Sequence, residues 1–384
     1  MNILYLAPYV PDVRASHAGG VHMGKSVETL KKNHSVTVLT FRNDEREKQL
    51  LAEHPDYEYI PTSRTEYVRK VLCHLNMPNM FALRRDRAFR RKVCEIIETR
   101  KIDAVHAEYT AMGQYEWVKR KYPHIRFYLV EHDVVLQSYE RKHEDAAGIR
   151  KLYYGMECRK VEKYERKYLQ GADLVFTLND KDQALLQQKY GLKNARTIHP
   201  YYGVDFNAAS EDTEKERSIC FVGQMSRSEN HEAAMRLVRI FKGMDTGDWK
   251  LNIIGGGPRP ELLAEESETV HITGFVEDIN REISRNQAAV FPLIHGAGIK
   301  FKVLLTFGLG LPVITTAVGA EGIDPEGKVI QLAGTDEEFR EAIQSLIEDD
   351  MLRARLSRES REYVRDHFNW SATEEIFREV YAEK

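Results

Sequence analysis

The stretch 295–316 combines glycines and lysines in a pattern that could hold an anion. It begins His295-Gly-Ala-Gly-Ile-Lys-Phe-Lys and continues through an apolar segment. A strand is predicted to end in the Gly-Ala-Gly loop, and a helix to start near Ile299 with Lys300 and Lys302 in its first turn. Cations there oppose the helix dipole and are locally unfavourable unless an anion binds. The pattern therefore predicts a phosphate site; the alternative is a pair of solvated lysines.

Glycines also follow other predicted strands. Gly19 and Gly20 lie between the first strand and the first helix, where a backbone without side chains lets a ligand approach the helix N-terminus. Gly223 and the run 255–257 occupy similar places in the second half of the chain. Neither a full dinucleotide fingerprint nor a Walker P-loop is present, so plain tight turns remain the alternative.

Ionisable side chains follow two apolar runs of the first half. Glu131, His132 and Asp133 come after IRFYLV, and Glu108 with Tyr109 comes after DAVHA. Such residues lie at the carboxyl edge of a parallel sheet, where ligands bind. The imidazole could accept a proton from a substrate hydroxyl or donate a hydrogen bond to it. A histidine that caps a helix is the alternative.

The elements that must position these groups form two doubly wound α/β domains in tandem, with an interdomain cleft at the carboxyl ends of their sheets. The first domain is predicted over residues 1–200 and the second over 201–367, with a polar linker up to Arg217. The predicted strands are 3–7, 35–41, 103–107, 125–130 and 173–178, then 218–223, 249–257, 270–275, 288–294 and 311–316.

Composition agrees with a folded chain of two domains. The chain has 384 residues, 42% of them hydrophobic and 10% aromatic, which argues against disorder and against a single small module. The four cysteines form no Cys-x-x-Cys pair, so we expect a reducing cytoplasm rather than a disulfide framework. The first ten residues are expected to form a strand, not a signal peptide.

Charge is divided unevenly. Residues 1–200 carry 35 Lys and Arg against 26 Asp and Glu, whereas the remainder carries 21 against 33. Much of the excess lies in Arg64–Lys101, with 11 basic and four acidic residues. We expect this stretch to meet an anionic membrane surface, unless its apolar side chains pack on the core. Nucleic acid is not expected, because the stretch has few stacking residues, Tyr67 and Phe81 among them. The apolar side chains are Val68, Val71, Leu72, Leu75, Met77, Met80, Phe81 and Leu83.

Taken together, the tandem architecture, Gly19-Gly20, Glu131-His132-Asp133, FVGQM and GAGIKFKVLLTFGLGLPVITTAVGAEGID resemble the retaining glycosyltransferases of family four, which have the GT-B fold. The resemblance spans nearly the whole chain and is strongest over 218–324. It implies that a terminal helix, about 368–384, crosses back onto the first domain.

The resemblance implies a nucleotide-sugar donor of the UDP or GDP type, no cofactor, and a glycan or lipid-linked acceptor in cell-envelope or polysaccharide biosynthesis. His132 would lie near the reacting sugar, and Lys300 and Arg227 near the diphosphate; no metal is expected, because these cations can offset its charge. Glu108, Tyr109, Glu131 and Asp133 would face the acceptor. The expected donor site comprises Gly19, Gly20, Gly223, Gly255, Gly256, Gly274, Phe275, His295, Gly296, Ala297, Gly298, Ile299, Lys302, Leu305 and Thr306.

One departure from the family pattern matters for function. Ala297 and Leu305 stand where relatives carry two glutamates, one for the transferred sugar and one for the ribose. This motivates an alternative: a non-catalytic subunit of glycosyltransferase shape that binds a partner enzyme or a glycan. A nucleotide-sugar 2-epimerase shares the fold, but the active-site carboxylates of such enzymes find no place here.

Overall fold

The two halves of the sequence fold into two units, each built on its own parallel sheet. The structure is a computed structural model that describes residues 1–15, 17–201, 214–295 and 299–382, without the side chains of 64–68. One unit comprises Met1–Gly203 with Trp370–Lys384, and the other comprises Val204–Asn369. Both are α/β with Rossmann-like order, which confirms the predicted fold class.

The sheet of the first unit has the order β3-β2-β1-β4-β5-β6-β7, with every described pairing parallel. The short edge strands β3 and β7 escape sequence analysis, because neither has a buried apolar run. The strands are β1 (Asn2–Ala7), β2 (Ser35–Arg42), β3 (Glu58–Pro61), β4 (Ala104–Glu108), β5 (Arg126–Glu131), β6 (Leu174–Thr177) and β7 (Ala195–Thr197).

Helices connect these strands, and a 3-10 helix, Thr110–Tyr115, follows β4. The helices up to the linker are α1 (Ala18–Lys31), α2 (Glu45–Glu53), α3 (Arg64–Cys73), α4 (Asn79–Ala82), α5 (Arg87–Arg100), α6 (Val118–Lys121), α7 (Val135–Asp145), α8 (Gly148–Gly171) and α9 (Asp180–Tyr190).

The sheet of the first unit separates two apolar cores. Successive side chains of a strand point to opposite faces, so Leu4 and Leu6 of β1 join one core while Ile3 and Tyr5 join the other. This arrangement explains why the strands read as continuous apolar runs rather than as alternating ones.

The basic stretch Arg64–Lys101 is divided between core and surface. Met77 and Phe81 are fully buried in the first core, and Lys70 is buried in an ion pair with Asp86 at 2.7 Å. The expectation of one continuous apolar membrane face along this stretch is therefore wrong for Met77 and Phe81, because both side chains pack in the core against the sheet.

The sheet of the second unit has the order β10-β9-β8-β11-β12-β13, again parallel. Its strands are β8 (Ser218–Val222), β9 (Lys250–Ile254), β10 (Val270–Gly274), β11 (Ala288–Phe291), β12 (Val313–Thr315) and β13 (Gln331–Leu332). Its helices are α10 (Ser228–Lys242), α11 (Pro260–Leu263), α12 (Ile279–Ser284), α13 (Phe301–Gly308), α14 (Ala317–Ala320), α15 (Asp336–Glu348) and α16 (Asp350–His367).

The last helix, α17 (Trp370–Ala382), belongs to the first unit. Trp370, Phe377 and Tyr381 are buried in the core that also holds Tyr5. The Trp370 indole Nε1–H donates to Thr29 Oγ1 at 2.9 Å. Among the described residues, no helix has both the length and the apolar character needed to cross a bilayer.

Strand order determines where each unit can bind a ligand. The order reverses between β1 and β4 in one sheet and between β8 and β11 in the other. Loops after such strands diverge and leave a crevice at the carboxyl edge. Predicted site residues follow these four strands, and others follow β5, β9 and β10.

Candidate active site

Glu108, at the end of β4, is the centre of a buried polar network in the first unit. Its carboxylate accepts hydrogen bonds from the Tyr5 hydroxyl, from His106 Nε2 at 3.0 Å and from His132 Nε2 at 2.6 Å. Burial alone would raise the pKa of Glu108, but the two histidines outweigh it and hold the pKa well below its usual range. The network therefore holds an ionised carboxylate next to His132 Nε2.

His132 is held in one orientation. Its Nε2 is bonded to Glu108, and its ring stacks on Tyr109 with centroids 3.7 Å apart and planes 8° from parallel. Because an ionised carboxylate can only accept, Nε2 must carry a proton. A substrate hydroxyl would therefore meet Nδ1, as an acceptor in the neutral ring or a donor in the charged one.

Tyr109 stores backbone strain to make this stack. Its φ of 67° and ψ of 144° belong to a region that residues other than glycine rarely adopt. The ring also explains Gly19: a Cβ at that position would lie 1.8 Å from Tyr109 Oη. Gly19 is thus needed for close packing beside the candidate site.

Gly20 and His17 form the start of α1. The Gly20 N–H donates to His17 Nδ1 at 3.0 Å, which caps the helix. The amide that the resemblance offers to a donor phosphate is therefore already bonded within the protein. A Cβ on Gly20 would meet that of Ala15 at 2.5 Å, so the glycine has a steric reason too.

His22, on α1, was missed by sequence analysis. It is buried and its Nδ1 accepts from the Tyr201 N–H at 3.2 Å. Burial, opposed by Glu108, lowers its pKa to about 3, so the ring is neutral. Nε2 then carries the proton and finds no acceptor among the described residues. Its position in an apolar helix gave no signal.

The other two candidates on the β5 loop lie apart from this network. Glu131 is buried and accepts from Thr110 Oγ1 at 2.7 Å. Burial and the neighbouring Glu165 carboxyl raise its pKa well above the usual range, so it is a neutral structural group here. Asp133, by contrast, is exposed.

In the second unit, the N-terminus of α13 presents cations. Lys300 is the residue before the helix, and no side chain caps it. The first turn has no acidic residue and includes Lys302. Lys300 Nζ lies 3.7 Å from Glu321 Oε2, a partner that sequence analysis did not identify.

Lys302 is poised beside α10. Its Nζ donates to Asn230 Oδ1 and lies over the Phe221 ring. Burial, offset in part by Glu229 and reinforced by the charges of Arg227 and Lys300, lowers its pKa to about 8.

Arg227 precedes α10 and pairs with Glu229 at 2.6 Å. The guanidinium is largely exposed. Arg227 and Lys300 both contribute to the potential felt by Lys302, which places the three cations in one electrostatic neighbourhood. A local concentration of cations at an uncapped helix start is suited to an anion such as a diphosphate.

The glycines of this unit serve packing first. A Cβ on Gly255, whose φ is 135°, would lie 2.0 Å from the Gly223 carbonyl oxygen. Gly256 has ordinary contacts, and Gly274 at φ 67° faces open space. The adjoining Phe275 is 81% exposed, an apolar ring that a flat base could cover.

The remaining candidates of the second unit differ in how exposed they are. Leu305 and Thr306 of α13 are buried, and Thr306 Oγ1 donates to the Lys302 carbonyl at 3.0 Å. Neither side chain is open to a ligand, so the structure gives them a packing role. His295 is exposed and Ile299 half-buried. Gly296, Ala297 and Gly298 lie outside the described residues.

Two groups bear on metal binding. Ligand atoms of His22, Glu108 and His132 lie within 4.8 Å of one another, the one such group found among the described residues. His22 Nδ1 already accepts from a backbone N–H, so Nε2 carries the ring proton and has no lone pair to offer a metal. The three residues are therefore arranged for hydrogen bonds rather than for metal binding. The second group is an Asp-x-Asp triplet at 180–182 in the first turn of α9, where the Asp182 N–H donates to Asn179 Oδ1 at 2.8 Å and so caps the helix.

Comparison with known proteins identifies the class. Residues 20–207 match the model of the family described as Glycosyltransferase Family 4, and residues 216–349 match that of Glycosyl transferases group 1. The two matches cover more than four fifths of the chain, and the gap between them, 208–215, lies close after the boundary between the two units. With the two Rossmann-like sheets, they place the chain among the GT-B glycosyltransferases. A comparison with curated protein sequences finds no match.

Solved structures share the fold across the chain. HepE from Anabaena in complex with UDP has a TM-score of 0.71 at 14% identity, with 100% of both chains covered. Sucrose-phosphate synthase from Thermosynechococcus elongatus gives 0.66 at 16% identity, also over 100% of both. TarM from S. aureus gives 0.68 at 10% identity, over 100% of this chain and 99% of that one. At these identities the superpositions show the fold alone.

Proposed function

We propose that the protein transfers a sugar from a nucleoside diphosphate sugar to a glycan or lipid-linked acceptor, with retention of configuration. The observation that carries the proposal is the start of α13, where Lys300 and Lys302 stand at an uncapped helix N-terminus within the field of Arg227. A departing diphosphate carries the charge that this site is built to offset.

The donor in this proposal is a uridine nucleotide. Phe275 offers an exposed ring beside Gly274 for the base, and the HepE structures contain UDP and UDP-glucose. The same cations supply the charge that a divalent metal supplies in other transferases, so transfer should survive EDTA. A cytoplasmic location and a role in envelope polysaccharide synthesis belong to the same proposal.

His132 is the group that meets the sugar. Its protonated Nε2 is fixed on Glu108, which leaves Nδ1 to bond a sugar or acceptor hydroxyl. In a retaining transfer the acceptor attacks the face that the diphosphate leaves, so the leaving phosphate can take the acceptor proton. The chain's own residues then position donor and acceptor, exclude water and stabilise the charge of the leaving diphosphate.

The test is donor binding and turnover. UDP, GDP and their sugars are titrated by calorimetry, and donor hydrolysis is followed with and without EDTA. We expect UDP to bind and Lys300→Ala to lower donor turnover at least about 100-fold, because a cation facing the leaving diphosphate is lost. Lys328→Ala, which removes an exposed lysine paired with Glu326, is the matched control.

A non-catalytic subunit is the second candidate, favoured by one observation. Leu305, in place of the family's ribose-binding glutamate, is buried. If no nucleotide binds at millimolar concentration, or if Lys300→Ala turns over donor like the wild type, the catalytic proposal fails and the binding role gains support.

A further inference from the structure

The N-terminal half of α8 exposes an apolar stripe that nothing in the first unit covers among the described residues. Ile149 is 87% exposed, Leu152 71% and Met156 51%, with Tyr153 between them. Positions i, i+3, i+4 and i+7 share one face of a helix. Burying such side chains normally stabilises a protein, so a continuous exposed stripe indicates a contact surface.

A second exposed apolar pair lies close to this stripe. Leu72, at the end of α3, and Leu75, just beyond it, are each 63% exposed. The following turn is anchored to α8: Asn79 Nδ2 donates to the Tyr153 hydroxyl at 2.8 Å, and its N–H donates to Glu157 Oε2 at 3.1 Å. Leu75 is four residues before Asn79, so it lies at most ~14 Å from that anchor.

Charge around the stripe is strongly positive. Residues 148–163 carry five basic side chains and two acidic ones, and one of the two acids, Glu157, is buried against Lys160 at 2.8 Å. Arg159 and Lys163, three and seven residues after Met156, are exposed on the side of α8 that carries the stripe, whereas Lys151 lies on the opposite side. The helical row that begins with the apolar residues continues into basic ones. The basic side chains are Arg150, Lys151, Arg159, Lys160 and Lys163.

We propose that this docking face, formed by Ile149, Leu152 and Met156 with the nearby Leu75 and the basic residues along the helical row, binds an anionic lipid surface. Apolar side chains standing out from a helix between cations are suited to the headgroup region, where they reach the acyl boundary while the cations meet phosphates. Tyr153, with an apolar ring and a bonded hydroxyl, suits the same depth.

A lipid surface fits better than a second protein chain because of the charge. A second copy of this chain would bring five cations against five, which is unfavourable for a symmetric contact. The exposed acids nearest in sequence, Glu144 and Asp145, lie before α8 at the end of α7 rather than along the row. Binding to a lipid surface is separate from sugar transfer, because it requires neither donor nor acceptor.

Co-sedimentation with vesicles tests the proposal on the full chain without any nucleotide. We expect binding to pure phosphatidylglycerol vesicles, little binding to pure phosphatidylcholine vesicles, and weakening by salt. Arg159→Ala/Lys163→Ala should lower the partition constant about 30-fold, which corresponds to about 1 kcal/mol per charge. Ile149→Ser/Leu152→Ser/Met156→Ser should lower it at least about tenfold.

Met351→Ser, which removes an exposed apolar side chain from α16 of the other unit, is the matched control and should bind like the wild type. All substituted side chains are exposed, so thermal unfolding should be unchanged. Failure of the wild type to bind phosphatidylglycerol, equal binding to both lipids, or full binding by the apolar variant would overturn the proposal. A dimer that forms without lipid, measured by sedimentation equilibrium, and that is lost in the apolar variant would also overturn the proposal. Calorimetry with UDP reports separately on the proposed function.

Discussion

At the scale of single residues, the candidate site depends on two stacked rings and a carboxylate that their buried surroundings hold in place. Tyr109 adopts a strained backbone conformation in order to stack on His132, and His132 is fixed by Glu108. Residues in such conformations persist only where the surroundings over-determine them. The strain therefore marks the end of β4 as a place where geometry, rather than stability, is being preserved.

Gly19→Ala tests whether the stack matters for transfer. The new Cβ would overlap Tyr109 Oη, so the ring must move and His132 loses its support. We expect kcat/KM to fall about 10- to 100-fold, because small displacements of positioning groups have effects of this size. Steady-state kinetics measure it. Gly243→Ala, where the nearest atom is 3.4 Å away, is the control; wild-type kinetics for Gly19→Ala would contradict the role of the stack.

Glu131→Gln tests the neutral carboxyl next to Glu165. A folded-state pKa raised above the unfolded value means that the native state keeps a proton which the unfolded state loses above about pH 4.5. Stability is thus complete below that pH and falls by up to about 1.4 kcal/mol per pH unit above it. The amide keeps the neutral form, so the variant should lose this slope.

Urea unfolding between pH 5 and 8, in a Trp249→Phe background, measures that slope. Trp117 and Trp370 then both report on the first unit. Glu375→Gln, an exposed position on α17, should keep the wild-type slope. A Glu131→Gln variant with unchanged pH dependence would show that Glu131 is ionised in the folded protein.

At the scale of elements, α13 shows how far sequence reasoning reaches. The helix, its strand and its lysines follow from local pattern, since the glycine loop and the apolar run are contiguous. The partners Glu321 and Asn230 do not, because they come from elements distant in sequence. The same holds for the Glu108 network, whose members Tyr5, His106 and Tyr381 carry no local signal of a shared site.

Leu305→Glu tests how α13 fills the place of the family's ribose contact. Leu305 is buried among the apolar residues of the second unit, so an unpaired carboxylate there should cost about 3–5 kcal/mol. Hydrogen exchange of peptides from β11 and β12 reports the loss, and Leu305→Met is the volume-matched control. Tighter UDP binding with unchanged exchange would instead mean that the position opens onto the ribose.

At the scale of the whole molecule, the strands and the fold class are the features that sequence predicts well. Ten of the strands are contiguous apolar runs, and β-α-β order leads to parallel sheets with crevices beside β1 and β8. The edge strands β3, β7 and β13 are short and half-exposed, so their own sequences contain little information. Docking surfaces are harder still, because a stripe on α8 looks the same in sequence whether a core covers it or not.

The helix α17 joins the first unit from the far end of the chain, and truncation tests how much that unit depends on it. Trp370, Phe377 and Tyr381 complete a core of the first unit, and Tyr381 Oη lies 2.5 Å from His106 Nδ1. Removing residues 370–384 should therefore unfold that unit, since three large buried aromatic side chains and a buried hydrogen bond are lost.

Hydrogen exchange should show full loss of protection in β1, β4 and β5, while β8, β9 and β11 stay protected because they belong to the other unit. Tyr381→Phe is the milder companion: it leaves the ring and removes only the hydroxyl, and should cost about 1–3 kcal/mol by orphaning His106 Nδ1. Retained protection of β1 and β4 after truncation would show that the first unit folds without its terminal helix.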